Sequence, residues 1–439
     1  MELEGKSLRG DFIRFIIPSI VAQWVFTLYT MVDGIFVARG VSEVALTAVN
    51  IATPFVMALY AVSILFAVGT STVVAILLGA GREERAKEIF SQNIALLVIV
   101  SVVITVAVMF NLKRLALFLG ATDVNLHYVV EYLRAIVPFS GLFILSYSFE
   151  TLIKTDGYPK LATIIVTTGS VLNVILDYLM VMEWNMGIAG AAIATGLSHV
   201  VVISLYLMHF LGKKGVIKFK RFRWDFPVVW REVKNGIPSG ITELSTGVTI
   251  FMFNQMILKY LNEDALVSYT IISYVNSIVI MTMVGIVQGY QPLVSYYYGK
   301  REFGNCKKLF RYGIVAVVIA SVIYGAVCIL APGGIVSMFV PSEMTTLHAY
   351  SVQVFRIFAI SFLVAGYNVV ISGYFTAVEK PVAATTISLS RSIVMLVVSL
   401  FALTALFGGA GIWWSSLMSE LVTGVFTVGF LWRMRRSEG

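Results

Sequence analysis

Apolar residues in this chain come in long continuous runs and do not alternate with polar ones. Runs of about 20 residues recur from end to end, each long enough to cross a hydrocarbon core of ~30 Å. In lipid the backbone polar groups must be satisfied internally, by a helix or a closed barrel. The lack of a two-residue period selects helices. The pattern predicts twelve spans, near 12–38, 44–69, 91–110, 127–153, 160–182, 187–211, 235–260, 266–292, 308–331, 348–377, 382–407 and 410–432. The fold class that follows is an all-α membrane protein.

Composition agrees. Hydrophobic residues make up 58% of the 439 positions and charged residues only 13%, against roughly 25% charged in a soluble domain. Charge then orients the spans. With connections assigned alternately to two sides, one side holds 25 of the 32 Lys and Arg residues and both termini. The other side holds four: Arg39, Lys113, Arg114 and Lys259. Three lie within spans: Arg134, Arg356 and Arg391. Basic residues mark cytoplasmic loops, so both termini are expected inside a plasma (inner) membrane crossed many times. The net charge of +8 is thus a loop signal and does not point to nucleic acid. Lys154 and Lys160 are counted in one such loop. The run Lys213-Lys214…Lys218…Lys220-Arg221…Arg223 reads as a solvated orientation signal or as a lipid-headgroup site. The start, Met1-Glu2-Leu3-Glu4, is not basic, which predicts no cleaved signal peptide.

The chain also repeats itself. At an offset of 220, Ile17-Pro18-Ser19 falls on Ile237-Pro238-Ser239, Glu43 on Glu263, Ala45-Leu46 on Ala265-Leu266, Gly69 on Gly289, Gly79 on Gly299 and Phe90 on Phe310. Further on, Pro159 meets Pro381 and Ala189-Gly190 meets Ala410-Gly411. The expected domains are an N-lobe over 1–212, a basic cytoplasmic connection over 213–234 and a C-lobe over 235–439. Six spans per half make the two repeats parallel, related by an axis along the membrane normal. Two such bundles enclose a central cavity.

Ionisable residues within spans are costly and usually face the protein interior. The first half has Asp33, Glu150 and Asp177, and none has an acidic repeat partner. That restriction to one half favours a functional role. At 1.5 Å per residue, Asp33 and Asp177 lie roughly 8 Å, and Thr195 roughly 12 Å, inside the outer ends of their spans. Asn173 is one turn from Asp177, Tyr29 one turn from Asp33, and Tyr132 is near the same side. These six groups are expected to meet at one level. Two carboxylates in one low-dielectric pocket repel, which favours a proton on one of them. The same oxygens suit Na⁺, so H⁺ and Na⁺ both stand as coupling ions. Glu150 lies deeper, as a cation attractor or as an interfacial carboxylate beside Lys154.

The second half has Glu243, Arg391 and Glu420. Arg391, well inside a span, needs a partner, and a structural pair with Glu243 or Glu420 is expected. Glu243 and Gln288 are placed in the cavity wall. His199, deep in a span, is expected to make an interhelical hydrogen bond. Proline removes a backbone donor and permits a kink, and Pro18 is the candidate hinge of span one. Cys306 and Cys328 define neither a disulfide framework nor a metal site. No GxxxxGK[ST] or HExxH motif is present. Neither an enzyme nor a primary pump is expected, and no cofactor.

In this setting the sequence resembles the multidrug and toxic compound extrusion (MATE) family over nearly its whole length. The resemblance rests on two six-span repeats that start at Ile17-Pro18-Ser19 and Gly236-Ile237-Pro238-Ser239. It rests also on Asp33, Gly157-Tyr158-Pro159, Asn173-x3-Asp177, Gly187-Ile188-Ala189-Gly190-Ala191-Ala192 with Thr195, and Gly408-Gly409-Ala410-Gly411-Ile412-Trp413. It implies a monomeric secondary exporter of small amphipathic or cationic molecules, driven by inward H⁺ or Na⁺ through alternating access. Asp33, Asn173, Asp177 and Thr195 match the family's cation site, and Tyr29, Tyr132 and Glu150 match positions of the adjoining cavity. Some branches pair acids in spans seven and ten. Here span ten has none and Glu243 comes about one turn early, which resembles the DinF-like prokaryotic branch. The rival readings are a lipid-linked oligosaccharide or lipid flippase of the same superfamily and, from another class, a membrane-embedded enzyme.

Overall fold

The computed structural model describes the backbone of residues 7–41, 43–341 and 343–438, and their side chains apart from 37–39, 43–46 and 435–438. Met1-Glu2-Leu3-Glu4 and Lys6 lie outside the described residues, as do the side chains of Arg39, Glu43, Ala45, Leu46, Arg435 and Arg436.

The long apolar runs form twelve long helices, and no strand occurs among the described residues. They are α1 (Leu8–Gly40), α2 (Glu43–Gly79), α3 (Glu83–Met109), α4 (Leu126–Thr155), α5 (Pro159–Glu183) and α6 (Gly187–Leu211) in the first half. The second half has α7 (Phe226–Tyr260), α8 (Glu263–Gly299), α9 (Phe303–Leu330), α10 (Thr345–Ala377), α11 (Pro381–Phe407) and α12 (Ala410–Glu438). Short helices Leu112–Phe118 and Pro332–Val336 follow α3 and α9 at corresponding places in the repeat. Eleven of the twelve are long and apolar enough to cross a membrane. The exception is α7, whose apolar part is interrupted by Glu243, Asn254 and Gln255 and by several Ser and Thr residues.

Local chemistry sets the ends. The Asp225 side chain accepts a hydrogen bond from the Val228 amide, and Pro227 occupies the first turn, so α7 begins at Phe226. The stretch read as a connection over 213–234 is therefore helical in its last nine residues. Asn262 caps α8 in the same way, through the Ala265 amide at 3.0 Å. The corner before α5 turns on Gly157 at φ +104°, with Pro159 opening the helix. In the second half that corner is Glu379 at φ +53°, a strained position for a side-chain-bearing residue. Its carboxylate is held by Arg231 at 2.5 and 2.6 Å and by Asn235 at 2.9 Å.

Several helices are broken. A 3₁₀ turn, Val137–Phe139, carries Pro138 in α4. A π turn, Tyr178–Glu183, follows Asp177 in α5. A second π turn, Ser390–Val394, holds Arg391 in α11.

Phe253, Met283, Phe358 and Phe362 belong to the apolar core of the second half, and Phe12, Phe15 and Ile16 of α1 dock into it. The first half has two main clusters, one around Phe90, Phe149 and Phe210 and one around Val129, Leu133 and Phe143. Apolar side chains on the outside, such as Val103, Ile323 and Val425, fit a lipid solvent and would be a liability in water.

The two halves meet along a seam at the end of the bundle that carries Arg82, Lys300 and Arg301, called here the basic end. There α2 packs on α7 and α8, and α1 packs on α8. A Cβ at Gly79 would overlap the backbone carbonyl of Tyr296, and one at Gly299 would overlap that of Ile76. The contacts are reciprocal in the repeat and require glycine. This packing explains why α2 runs ten residues past its predicted end at 69. Across the seam the Trp24 indole donates to Thr282 Oγ1 at 2.8 Å and the Gln291 amide to Thr72 Oγ1 at 3.1 Å.

Candidate functional site

A cavity opens between the halves. Its empty space, open mouth included, is about 1480 Å³. Tyr29, Glu150 and Asn173 line it from the first half, and Glu243, Gln288 and Arg391 from the second. Of the residues predicted for the wall, Tyr29, Glu150, Glu243 and Gln288 line it, and Tyr132 does not.

Tyr132 sits instead in a cluster buried within the first half. The carboxyl groups of Asp33 and Asp177 face each other within hydrogen-bonding reach. Tyr29 and Tyr132 stand close enough to both acids to feel their charge. Asp177 is fully buried. Both of its carboxylate oxygens, Asp33 Oδ1 and Asn173 Oδ1 are buried without a protein hydrogen bond. Asn173 donates to Thr195 Oγ1 at 3.4 Å. The helical spacing explains the convergence: Asn173 and Asp177 share one face of α5 a turn apart, as Tyr29 and Asp33 do on α1. The structure thus brings together all six groups that the sequence placed at one level. It adds Tyr60 of α2, which stands beside Tyr29 and near Asp33 and Glu243. No acid or repeat relation in the sequence singled out Tyr60.

Chemically the cluster is a set of oxygen acceptors with unmet capacity. It can take a proton between the carboxylates, or a small hard cation on carboxylate, amide and hydroxyl oxygens. Among the described residues no group of three or more His, Cys, Asp or Glu is placed to hold a metal ion.

At the bottom of the cavity, Lys154 corrects the sequence reading. It was counted with a solvated basic loop, yet its side chain is 2% exposed. It donates to Glu150 Oε1 at 2.6 Å, one turn earlier on α4, and to Gln288 Oε1 of the other half at 2.8 Å. Gln288 in turn donates to the Tyr147 hydroxyl at 2.6 Å and accepts from the Gln23 amide at 3.2 Å. The reason is packing: α4 extends to Thr155 beneath the seam, and the α4–α5 corner turns at Gly157, so Lys154 points inward. Without Lys154 the charge asymmetry of the loops persists.

Arg391 resolves to one of its two predicted partners. Its Nε donates to Glu420 Oε1 at 2.6 Å, and the other carboxylate oxygen accepts from Asn368 at 2.8 Å. Glu243 stays in the cavity wall. His199 bonds within its own helix, Nδ1 to the Thr195 carbonyl at 2.9 Å, and stacks edge-on to Phe143. The expected interhelical bond is replaced by an interhelical ring contact. Pro18 lies inside α1, and its carbonyl accepts from the Thr163 hydroxyl of α5 at 2.7 Å.

Comparison with known proteins agrees with this architecture. A family model described as MatE matches residues 18–179 and 238–401, one match in each half. The chain is 24% identical over 436 residues to the multidrug export protein MepA of Staphylococcus saprophyticus, covering 98% of this chain and 95% of that protein. Its fold superposes on a crystal structure of MATE in complex with MaL6 at a TM-score of 0.92 and 22% identity, over 99% of this chain and 97% of that one. It also superposes on the outward-facing conformation of a multidrug resistance MATE family transporter of the MOP superfamily, at 0.91 and 22%, with the same coverage.

Proposed function

Because this chain belongs to the MATE (MatE) family of multi-pass membrane transporters, we propose that it exports small amphipathic, often cationic compounds in exchange for an inward-moving cation. It is a transporter and not an enzyme. The observation that carries the exchange reading is the facing pair Asp33 and Asp177, the latter fully buried, beside a cavity that both halves share. A carboxylate pair that can hold one proton converts a proton gradient into a change of local charge. Neutralising Asp33 weakens its hold on donors around it, including Tyr29 and Asn173, and α1 shifts against α5 and α6. Asp33, Asn173, Asp177 and Thr195 are the cation site, and Tyr29, Glu150, Glu243 and Gln288 face the cargo, with Tyr132 behind them. The coupling ion is H⁺, with Na⁺ at Asp33 and Asp177 as the alternative.

In this reading residues 1–212 and 235–439 are lobes that rock about the seam, joined by the connection at 213–234. The basic end is cytoplasmic, with both termini. The closed seam there makes this an outward-facing arrangement, and transport alternates it with one whose seam is open. Glu243 in the cavity wall, with Arg391 neutralised by Glu420 and Glu150 by Lys154, supports a cationic cargo over the anionic headgroup of a lipid-linked sugar. The absence of an acid in α10 supports the DinF-like branch. The protein works as a monomer in the cell membrane.

Efflux of a cationic dye from proteoliposomes tests the proposal. An imposed inward pH gradient is expected to drive it, and an Na⁺ gradient alone is not. Drive by Na⁺ alone would transfer the site to that ion, and drive by neither would remove the exchange reading.

A further inference from the structure

Glu232 sits in the seam, three residues ahead of the span at 235–260. It is fully buried, and neither carboxylate oxygen has a hydrogen-bond partner. Its backbone carbonyl lies against Gly69 of α2, so close that a Cβ at Gly69 would overlap it. Next to Gly69, the buried hydroxyl of Thr70 faces the acid without completing a bond.

The charges around it are committed elsewhere. Arg231 is joined to Glu379 by two hydrogen bonds, and Tyr298 of α8 stands near that pair. Asp225 is joined to Arg85. Burial pushes the Glu232 carboxyl above the usual carboxylate range; Thr70 and Arg231 draw it down by less, and Asp225 adds slightly to the rise.

An ionised carboxylate so placed has lost its hydration with nothing in exchange. The fold does not need an acid there. At the repeat offset of 220 the same place holds Phe12, buried in the core. Apolar packing is enough in the first half, so the acid of the second half is left without a structural reason. In a seam that opens, it has a chemical one. Water reaching Glu232 would hydrate the carboxylate and release its proton, and closure would require taking one up.

We propose that Glu232 is a proton-binding site of the seam, distinct from Asp33 and Asp177, which holds a proton while the halves are closed at the basic end and yields it to the cytoplasm when they part. The inference rests on the alternating-access reading above. Its sign follows from linkage. The closed seam binds the proton more tightly, so cytoplasmic acidity favours closure, and closure weakens as pH rises through the closed-state value. Acting from the cytoplasmic side, the site is a brake on opening inward, separate from the coupling pair that faces outward.

The test uses the full-length chain in nanodiscs, with Cys306 and Cys328 replaced by Ala and spin labels at Arg82→Cys and Arg301→Cys, one in each half. In the wild type the long-distance, open-seam population should grow from acidic to alkaline pH. In Glu232→Gln, and in Glu232→Phe, which copies the repeat partner, that dependence should be lost and the seam should stay closed. An unchanged pH response in either folded variant overturns the inference, as does failure of both to fold, since the acid would then be structural. A wild-type seam that opens neither with pH nor with added cationic dye overturns the alternating-access reading itself, a result told apart from the first by the wild-type trace alone.

Discussion

Lys154 of the first half donates to Gln288 of the second at 2.8 Å while its ammonium also binds Glu150 at 2.6 Å. The cation is thus shared between an ion pair inside one half and a bond across the seam. Removing one partner of a buried pair leaves an uncompensated charge, at a cost of about 3–5 kcal/mol. Lys154→Met is therefore expected to lower the apparent Tm of the purified protein markedly, and Lys154→Met with Glu150→Leu to recover most of the loss. A single variant as stable as the wild type would show that the pair does not anchor the seam.

Asp33→Asn and Asp177→Asn each preserve nearly the same volume and remove only the titratable charge. Each should abolish gradient-driven efflux in proteoliposomes while leaving the folded yield and Tm close to wild type. Their removal relieves the repulsion between two facing carboxyls, so a gain in stability is also consistent. Full efflux by either folded variant would contradict the assignment.

Glu243 lines the cavity and is not part of the acidic cluster. Glu243→Gln is expected to weaken transport of cationic dyes less than Asp177→Asn does, at matched expression. A reversed ranking would move the coupling site into the second half.

Pro18 and Thr163 frame the last expectation. The proline removes one ladder hydrogen bond from α1, and the Thr163 hydroxyl holds the Pro18 carbonyl to α5 at 2.7 Å. If this is the hinge, label distances between α1 and α5 should differ between acidic and alkaline pH, and Pro18→Ala should suppress both that difference and efflux. Thr163→Val, which frees the joint, should keep them. Pro238 repeats the kink in a half without the acids, so unchanged distances in the wild type would make Pro18 a static bend.

The convergence of these six groups was legible because helical period and depth are local properties. Tyr29 with Asp33, and Asn173 with Asp177, are each one turn apart on a single helix, and the membrane itself sets the level at which different helices compare. Tyr60 was not legible, since nothing in a lone phenol on α2 tells which neighbour it will face. Lys154 was misread for a related reason: proximity to a turn predicts water, and only the packing of α8 beneath α4 shows that none is there.

Taken alone, the sequence determined the solvent, the helical class, the two-fold repeat and the identity of the acids, because hydropathy, charge and internal offset are all written along one dimension. Tertiary structure decided the pairings. Arg391 had two carboxylates in prospect, and the π turn at Ser390–Val394 presents it to Glu420. Nothing along the chain singles out Glu232, which the close approach of Gly69 buries in the seam. The first choice depends on how α11 and α12 pack within the second half, and the second on a contact between residues more than 100 positions apart that exists only once both halves have folded against each other.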